Sequence, residues 1–122
     1  ELLRWDTSVQ ISQRRSHEKL VLGGVEIPAG ETFVLLNGAA NRDPEAYPDP
    51  DRIDVGRDPK DHLAFGLGRH RCLGASLARV EIQAAIAAIL RRFPRLDFDG
   101  EPLFRGSFFL RGLASLPLRG QA

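Results

Sequence analysis

A single cysteine, Cys72, sits in the run Phe65-Gly66-Leu67-Gly68-Arg69-His70-Arg71-Cys72-Leu73-Gly74, and a long helical pattern follows at once. Glycines at 66, 68 and 74 permit backbone angles closed to other residues and remove side chains where a backbone must pass tightly beneath a flat object. The stretch is therefore a tight loop, built to lie against a plane. A lone sulfur cannot form an intramolecular disulfide, and it lacks the companion ligands that zinc or an iron-sulfur cluster requires. One thiolate making one metal bond points to haem. The alternative is that Cys72 is a small buried hydrophobe, the commonest role of a single cysteine.

From Leu73 to Phe93 the spacing predicts a helix: Ile82, Ile86, Ile89 and Phe93 recur at helical intervals, alanines fill the gaps and Pro94 ends the run. Cys72 then lies at a helix N-terminus. Unpaired amides and the positive end of the helix dipole stabilise a thiolate there.

The residues around Cys72 resemble the haem-binding loop of the cytochrome P450 family, whose pattern F-G-x-G-x-H-x-C-x-G-x-x-L-A-x-x-E is matched from Phe65 to Glu81 at every fixed position. The resemblance implies that Cys72 is the axial ligand of haem b iron, donating electron density that favours oxygen-oxygen cleavage. It implies that His70 hydrogen-bonds a haem propionate, that Phe65 shields the thiolate, and that Gly66, Gly68 and Gly74 let the loop approach the cofactor. Arg14 falls close to where relatives place another propionate-binding arginine, with Arg15 adjacent leaving the register open.

Glu1-Leu2-Leu3-Arg4 matches the family's E-x-x-R, which lies on a helix. Residues three apart share a helical face, so the charges can meet. Asp49-Pro50-Asp51-Arg52 supplies the arginine that the resemblance places in a Glu-Arg-Arg triad; Glu1, Arg4 and Arg52 are read as structural support for the cysteine loop. Between Leu20 and Leu35, Gly23-Gly24 and Pro28-Ala29-Gly30 separate short β-branched runs, predicting a hairpin and a further turn. Ala40-Asn41-Arg42-Asp43-Pro44 opens an irregular meander, in which Pro44, Pro48, Pro50 and Pro59 disfavour a long helix. The expected fold is an α+β piece of a mainly α fold: short β-hairpins, an irregular meander, the cysteine haem loop, one long helix in the C-terminal half and a terminal β-hairpin.

Family members are several times longer, so residues 1–122 are expected to be the C-terminal part of a single domain, without the helix that crosses the distal haem face. Two stretches are candidates for a substrate pocket: Val9 and Gln10, where relatives run a strand past the distal haem face, and Phe108, on a terminal turn. Strand and core packing are the competing roles. With 17 basic and 16 acidic side chains among 122 residues and 43% hydrophobic content, the composition is that of a soluble domain with no bulk preference for nucleic acid. No apolar run reaches membrane-spanning length. Arginines at 69, 71, 79, 91 and 92 nevertheless gather around the loop and its helix, and Arg69 and Arg71 are the candidates for docking an electron donor.

The resemblance implies a cytoplasmic haem-thiolate monooxygenase that inserts one oxygen atom from O2 into a small organic substrate. NAD(P)H would supply electrons indirectly, through a reductase and a ferredoxin or flavodoxin-type carrier. A non-catalytic haem-binding module and an inactive truncated remnant are the alternatives.

Overall fold

The computed structural model describes residues 1–121, and within it the chain forms two compact units. The first comprises residues 1–64 with 108–110; the second comprises 65–107 with 111–121.

The first unit begins with the short helix α1 (Leu2–Trp5), which puts Glu1 and Arg4 one turn apart. Strand β1 (Ser12–Arg15) pairs antiparallel with β4 (Thr32–Leu35), from Ser12 opposite Leu35 to Arg15 opposite Thr32. Between them β2 (Leu20–Leu22) and β3 (Val25–Ile27) form the expected hairpin. Its turn residues Gly23 and Gly24 both take positive φ, 56° and 81°, which is the backbone a two-residue turn of this twist demands. Helix α2 (Asn37–Ala40) follows, and residues 41–62 form the irregular meander that the prolines predict. Gln10 N–H donates to the Phe109 carbonyl at 3.0 Å and Val9 bridges Leu110, which ties 108–110 into this unit.

The second unit is built on α3 (Ala75–Arg92). The helix begins two residues later than the spacing predicts, because Gly74 occupies the cap position. It ends as expected, where Phe93 turns extended ahead of Pro94 with its N–H still bonded to the Ile89 carbonyl at 2.8 Å. Two antiparallel pairs complete the unit: β5 (Arg95–Phe98) with β8 (Leu118–Gln121), and β6 (Leu103–Phe104) with β7 (Leu113–Ser115). The terminal hairpin is thus a nested arrangement, the inner pair enclosed by the outer.

Burial does not follow the usual apolar pattern. Among the described residues the buried hydrophobic side chains are Ile11 and Ala75, whereas Arg4, Thr7, Ser16, Asn37 and Asn41 are buried polar groups. Ile82, Ile86 and Ile89 on α3 are each about 40% exposed in this chain.

Close approach fixes one glycine in the second unit. A Cβ on Gly120 would collide with Cδ1 of Phe93 and stand 2.6 Å from its Cγ, well inside van der Waals contact. Gly120→Ala is therefore expected to lower the stability of the β5–β8 pair by about 1–3 kcal/mol, the usual cost of overpacking. Urea unfolding followed by circular dichroism measures it; an unchanged midpoint contradicts this packing.

Candidate functional site

The cysteine loop takes its shape from two short turns and a hydrogen bond that closes it. A 3-10 turn at Leu63–Phe65 leads in, a second at Gly68–His70 reverses the chain, and Gly66 and Gly68 hold φ of 67° and 72°. Any side chain at 66 or 68 would be strained at these angles. Cys72 N–H donates to the Phe65 carbonyl at 2.8 Å, and Arg71 N–H donates to the Gly68 carbonyl at 3.1 Å. The loop is thereby cinched at its ends. The Cys72 carbonyl in turn accepts Ala75 N–H at 3.3 Å, so the cysteine precedes α3 by a turn of its own rather than starting the helix.

Cys72 is a free, exposed thiol in this chain. A Cβ on Gly74 would come within 4.0 Å of Sγ, so the glycine leaves the sulfur's flank bare. Around it, Leu67 is 72% exposed and Leu73 fully exposed. Apolar side chains turned outward beside an open sulfur, with glycines at 66, 68 and 74 adding no bulk, suit a flat, largely apolar ligand with one soft bond to make. Groups of three or more His, Cys, Asp or Glu side chains able to cage an ion do not occur among the described residues. The donor set therefore fits a haem, which would ask the chain for a single soft ligand.

His70 and Phe65 belong to the same loop. His70 is exposed and Phe65 half-buried, with the Arg79 guanidinium 5.6 Å from the centre of the Phe65 ring. Arg69 and Arg71 are exposed. Arg91 and Arg92 occupy the last turn of α3, where cations are favoured by the helix dipole.

The remaining candidates lie in the first unit. Arg14 is on β1, half-buried, with Nη1 donating to the Gln13 carbonyl at 2.8 Å. Val9 bridges Leu110 and Gln10 N–H donates to the Phe109 carbonyl, next to the candidate Phe108 in the chain. Phe108, 76% exposed, stands edge-to-face with Phe109 at 6.1 Å.

The E-x-x-R pair is the most buried feature of the first unit. Arg4 has no exposed side-chain surface, and its Nε and Nη2 grip the two carboxylate oxygens of Glu1 at 2.8 Å each. Nη1 donates to the carbonyls of Asn41 at 2.7 Å and Pro50 at 3.0 Å, and Nη2 reaches the Arg52 carbonyl at 3.4 Å. Tyr47 lies under the guanidinium, 5.1 Å from ring centre to Cζ, and burial pushes its phenol pKa up.

The second arginine side chain on Glu1 is Arg57, at 3.3 Å, and not Arg52 as the sequence suggests. Arg52 is exposed and enters the network through its carbonyl. The turn at Asp49, with φ of 50°, carries the chain past Glu1 so that Asp54 N–H (3.1 Å) and Arg57 arrive there instead. Sequence reasoning also passed over Asn41 and Arg42. Arg42 donates Nε and Nη2 to the Trp5 carbonyl at 3.0 and 2.7 Å and stacks its guanidinium 4.3 Å from the Trp5 ring centre. The visible signal was the pair of polar residues heading the meander.

The bidentate hydrogen bonds from Arg4 hold the Glu1 carboxyl at a pKa of about 2, helped by Asp54 N–H and by the charges of Arg4 and Arg57 against the opposing pull of burial. The same ion pair raises the Arg4 pKa.

Against known proteins, a family profile described as cytochrome P450 matches residues 1–109. The chain is 43% identical over 122 residues to 6-deoxyerythronolide B hydroxylase of Saccharopolyspora erythraea, covering 98% of this chain and 30% of that protein. It is 45% identical over 119 residues to the biotin biosynthesis cytochrome P450 of Bacillus subtilis, covering 97% of this chain and again 30% of the relative. Among solved structures, P450BioI in complex with an acyl carrier protein ligated to hexadec-9Z-enoic acid superposes with a TM-score of 0.93 at 44% identity, covering 98% of this chain and 31% of that one. A Bacillus megaterium enzyme in complex with testosterone gives a TM-score of 0.95 at 37% identity, over 99% of this chain and 34% of that one. The chain thus spans about 30% of the length of the curated relatives it matches.

Glu1→Gln removes the negative partner of a buried guanidinium and is expected to destabilise the first unit by about 3–5 kcal/mol at neutral pH. Because the folded-state pKa lies below the ordinary 4.5, the carboxylate's contribution is complete above 4.5 and is lost as the pH falls through about 2. The gap between wild type and Glu1→Gln in urea unfolding should close over that window. Arg57→Ala should cost more than Arg52→Ala; the reverse order would return Arg52 to the triad.

Proposed function

The chain belongs to the cytochrome P450 family, and from that premise we propose that the protein is a haem-thiolate monooxygenase in which Cys72 would hold the iron of haem b. The observation that carries this is the exposed Cys72 thiol on a loop closed by its own N–H to the Phe65 carbonyl and walled by glycine rather than by side chains. Haem supplies the oxygen activation and redox chemistry when bound, one oxygen atom of O2 entering an organic substrate and the other leaving as water.

The chain's own residues hold and orient. Cys72 presents the thiolate, and Phe65 keeps water from it. Gly66, Gly68 and Gly74 let the backbone approach the macrocycle. His70, on the cysteine loop, would donate a hydrogen bond to a propionate, and Arg14, on β1, is a separate candidate for the same role; charge-assisted bonds of this kind are short and strong. Glu1, Arg4 and Arg57 hold the meander without touching the reacting atoms. Val9 and Phe108 would offer apolar surface, and Gln10 an amide, to a small organic substrate.

Arg69 and Arg71 offer exposed positive charge to an acidic electron donor of the ferredoxin or flavodoxin type, which a reductase charges from NAD(P)H. No helix among the described residues is long and apolar enough to cross a membrane.

The test is the absorption spectrum of the reduced, carbon monoxide-bound protein after haem loading. A strongly red-shifted Soret band is expected, absent from Cys72→Ser. A spectrum that Cys72→Ser leaves unchanged overturns Cys72 as the ligand.

A further inference from the structure

Asn41 is fully buried, and its environment is unusual for an amide. Its backbone carbonyl accepts Arg4 Nη1 at 2.7 Å, its backbone N–H caps α2 through the Asn37 carbonyl at 3.0 Å, and its Oδ1 accepts the Leu63 N–H at 2.6 Å. The amide's orientation is settled by that last bond, since a backbone N–H needs an acceptor. Nδ2 has no partner among the described residues. A buried donor left unmade is costly, so the position pays for its carbonyl oxygen rather than for the amide as a whole.

The place that oxygen reaches gives the position its meaning. Leu63 opens the 3-10 turn Leu63–Phe65, and the N–H of a first turn has no partner within the turn itself. Asn41 Oδ1 supplies that partner. Phe65, the turn's last residue, carries the carbonyl that accepts Cys72 N–H. Two hydrogen bonds and one short turn therefore lead from the buried Arg4 guanidinium to the cysteine backbone: Arg4 to the Asn41 carbonyl, then Asn41 Oδ1 to Leu63. The preceding residue, His62, makes the neighbouring contact, accepting Ala64 N–H at Nδ1 over 3.2 Å, so both of the first two amides of the turn are held by side chains.

We propose that Asn41 is a positioning residue for the cysteine ligand: by accepting the Leu63 N–H it fixes the turn that aims the Phe65 carbonyl at Cys72. This rests on the reading of Cys72 as the haem ligand. A side chain that orients a ligand's backbone sets how much of the metal is correctly ligated, which a general loss of stability does not.

The experiment uses the full-length haem-loaded protein with Asn41→Ala, Asn41→Asp and Ile11→Ala. Asn41→Asp keeps an acceptor at the same atom beside Arg4. Ile11→Ala truncates a buried side chain of the same unit and controls for stability. Two readouts are taken: exchange of the Leu63 amide with deuterium, and the fraction of the reduced carbon monoxide complex carrying the red-shifted band. Asn41→Ala should speed Leu63 exchange by about tenfold, the equivalent of one lost hydrogen bond, and lower the red-shifted fraction. Asn41→Asp should restore both, and Ile11→Ala should move neither.

The proposal is overturned if Asn41→Ala keeps the wild-type red-shifted fraction, if Asn41→Asp loses it as fully as Asn41→Ala, or if Ile11→Ala loses it equally. Should Asn41→Ala not accumulate as folded protein, Asn41→Asp decides alone: retained Leu63 protection with a wild-type spectrum supports the proposal, and loss of either overturns it. Failure of the Cys72 reading would show separately, as a wild-type spectrum indifferent to Cys72→Ser while Leu63 exchange still responds to Asn41.

Discussion

The buried guanidinium of Arg4 is the interaction on which the first unit depends. Its planar fork makes five hydrogen bonds, two to Glu1 and three to the carbonyls of Asn41, Pro50 and Arg52. A meander broken by prolines has no ladder partner for its carbonyls, and buried carbonyls without partners are rare in folded proteins. Arginine suits this position because its donors are fixed in a plane and its charge is permanent. Lysine has three donors on a rotating head and could not span the same set. Glu1 is the complement: it neutralises Arg4 and gathers Asp54 N–H and Arg57 from farther along the chain. Ion pairing here organises irregular backbone more than it adds net stability, consistent with the cost of desolvating both charges.

What could be read from the sequence follows from periodicity and punctuation. The hairpin around Gly23-Gly24, the stop of α3 at Pro94 and the tight loop at Cys72 each have a local cause, and each lies where that cause places it. Features set by tertiary contacts were not legible. Arg52 and Arg57 are five residues apart in a segment without period, so nothing local says which side chain turns to Glu1; the reversal at Asp49 decides it. Backbone carbonyls leave no trace in a sequence, which hid the role of Arg52. Asn41 was visible as a residue but not as an acceptor, because its partner lies 22 positions on. Helix α3 starts at Ala75 because the glycine that frees the sulfur also serves as the cap.

Polar burial and apolar exposure in this chain are two sides of one arrangement. The buried side chains are mostly those that fix irregular backbone, while Leu67, Leu73 and the isoleucines of α3 are turned outward. For the leucines beside Cys72 the proposed haem gives that exposure a purpose: an apolar plane laid on the loop would cover them. The cysteine loop takes its course from two glycines in the left-handed region and the Cys72-to-Phe65 hydrogen bond, with the Leu63 N–H at its entrance donated to Asn41 Oδ1.

Iron-edge X-ray absorption of the haem-loaded protein addresses the role of Cys72 most directly, because it reads the iron's nearest neighbours without a substrate or an electron donor. One sulfur neighbour in the first shell, replaced by a lighter atom in Cys72→Ser, is the predicted result. A first shell of nitrogen and oxygen alone in the wild-type protein would contradict it.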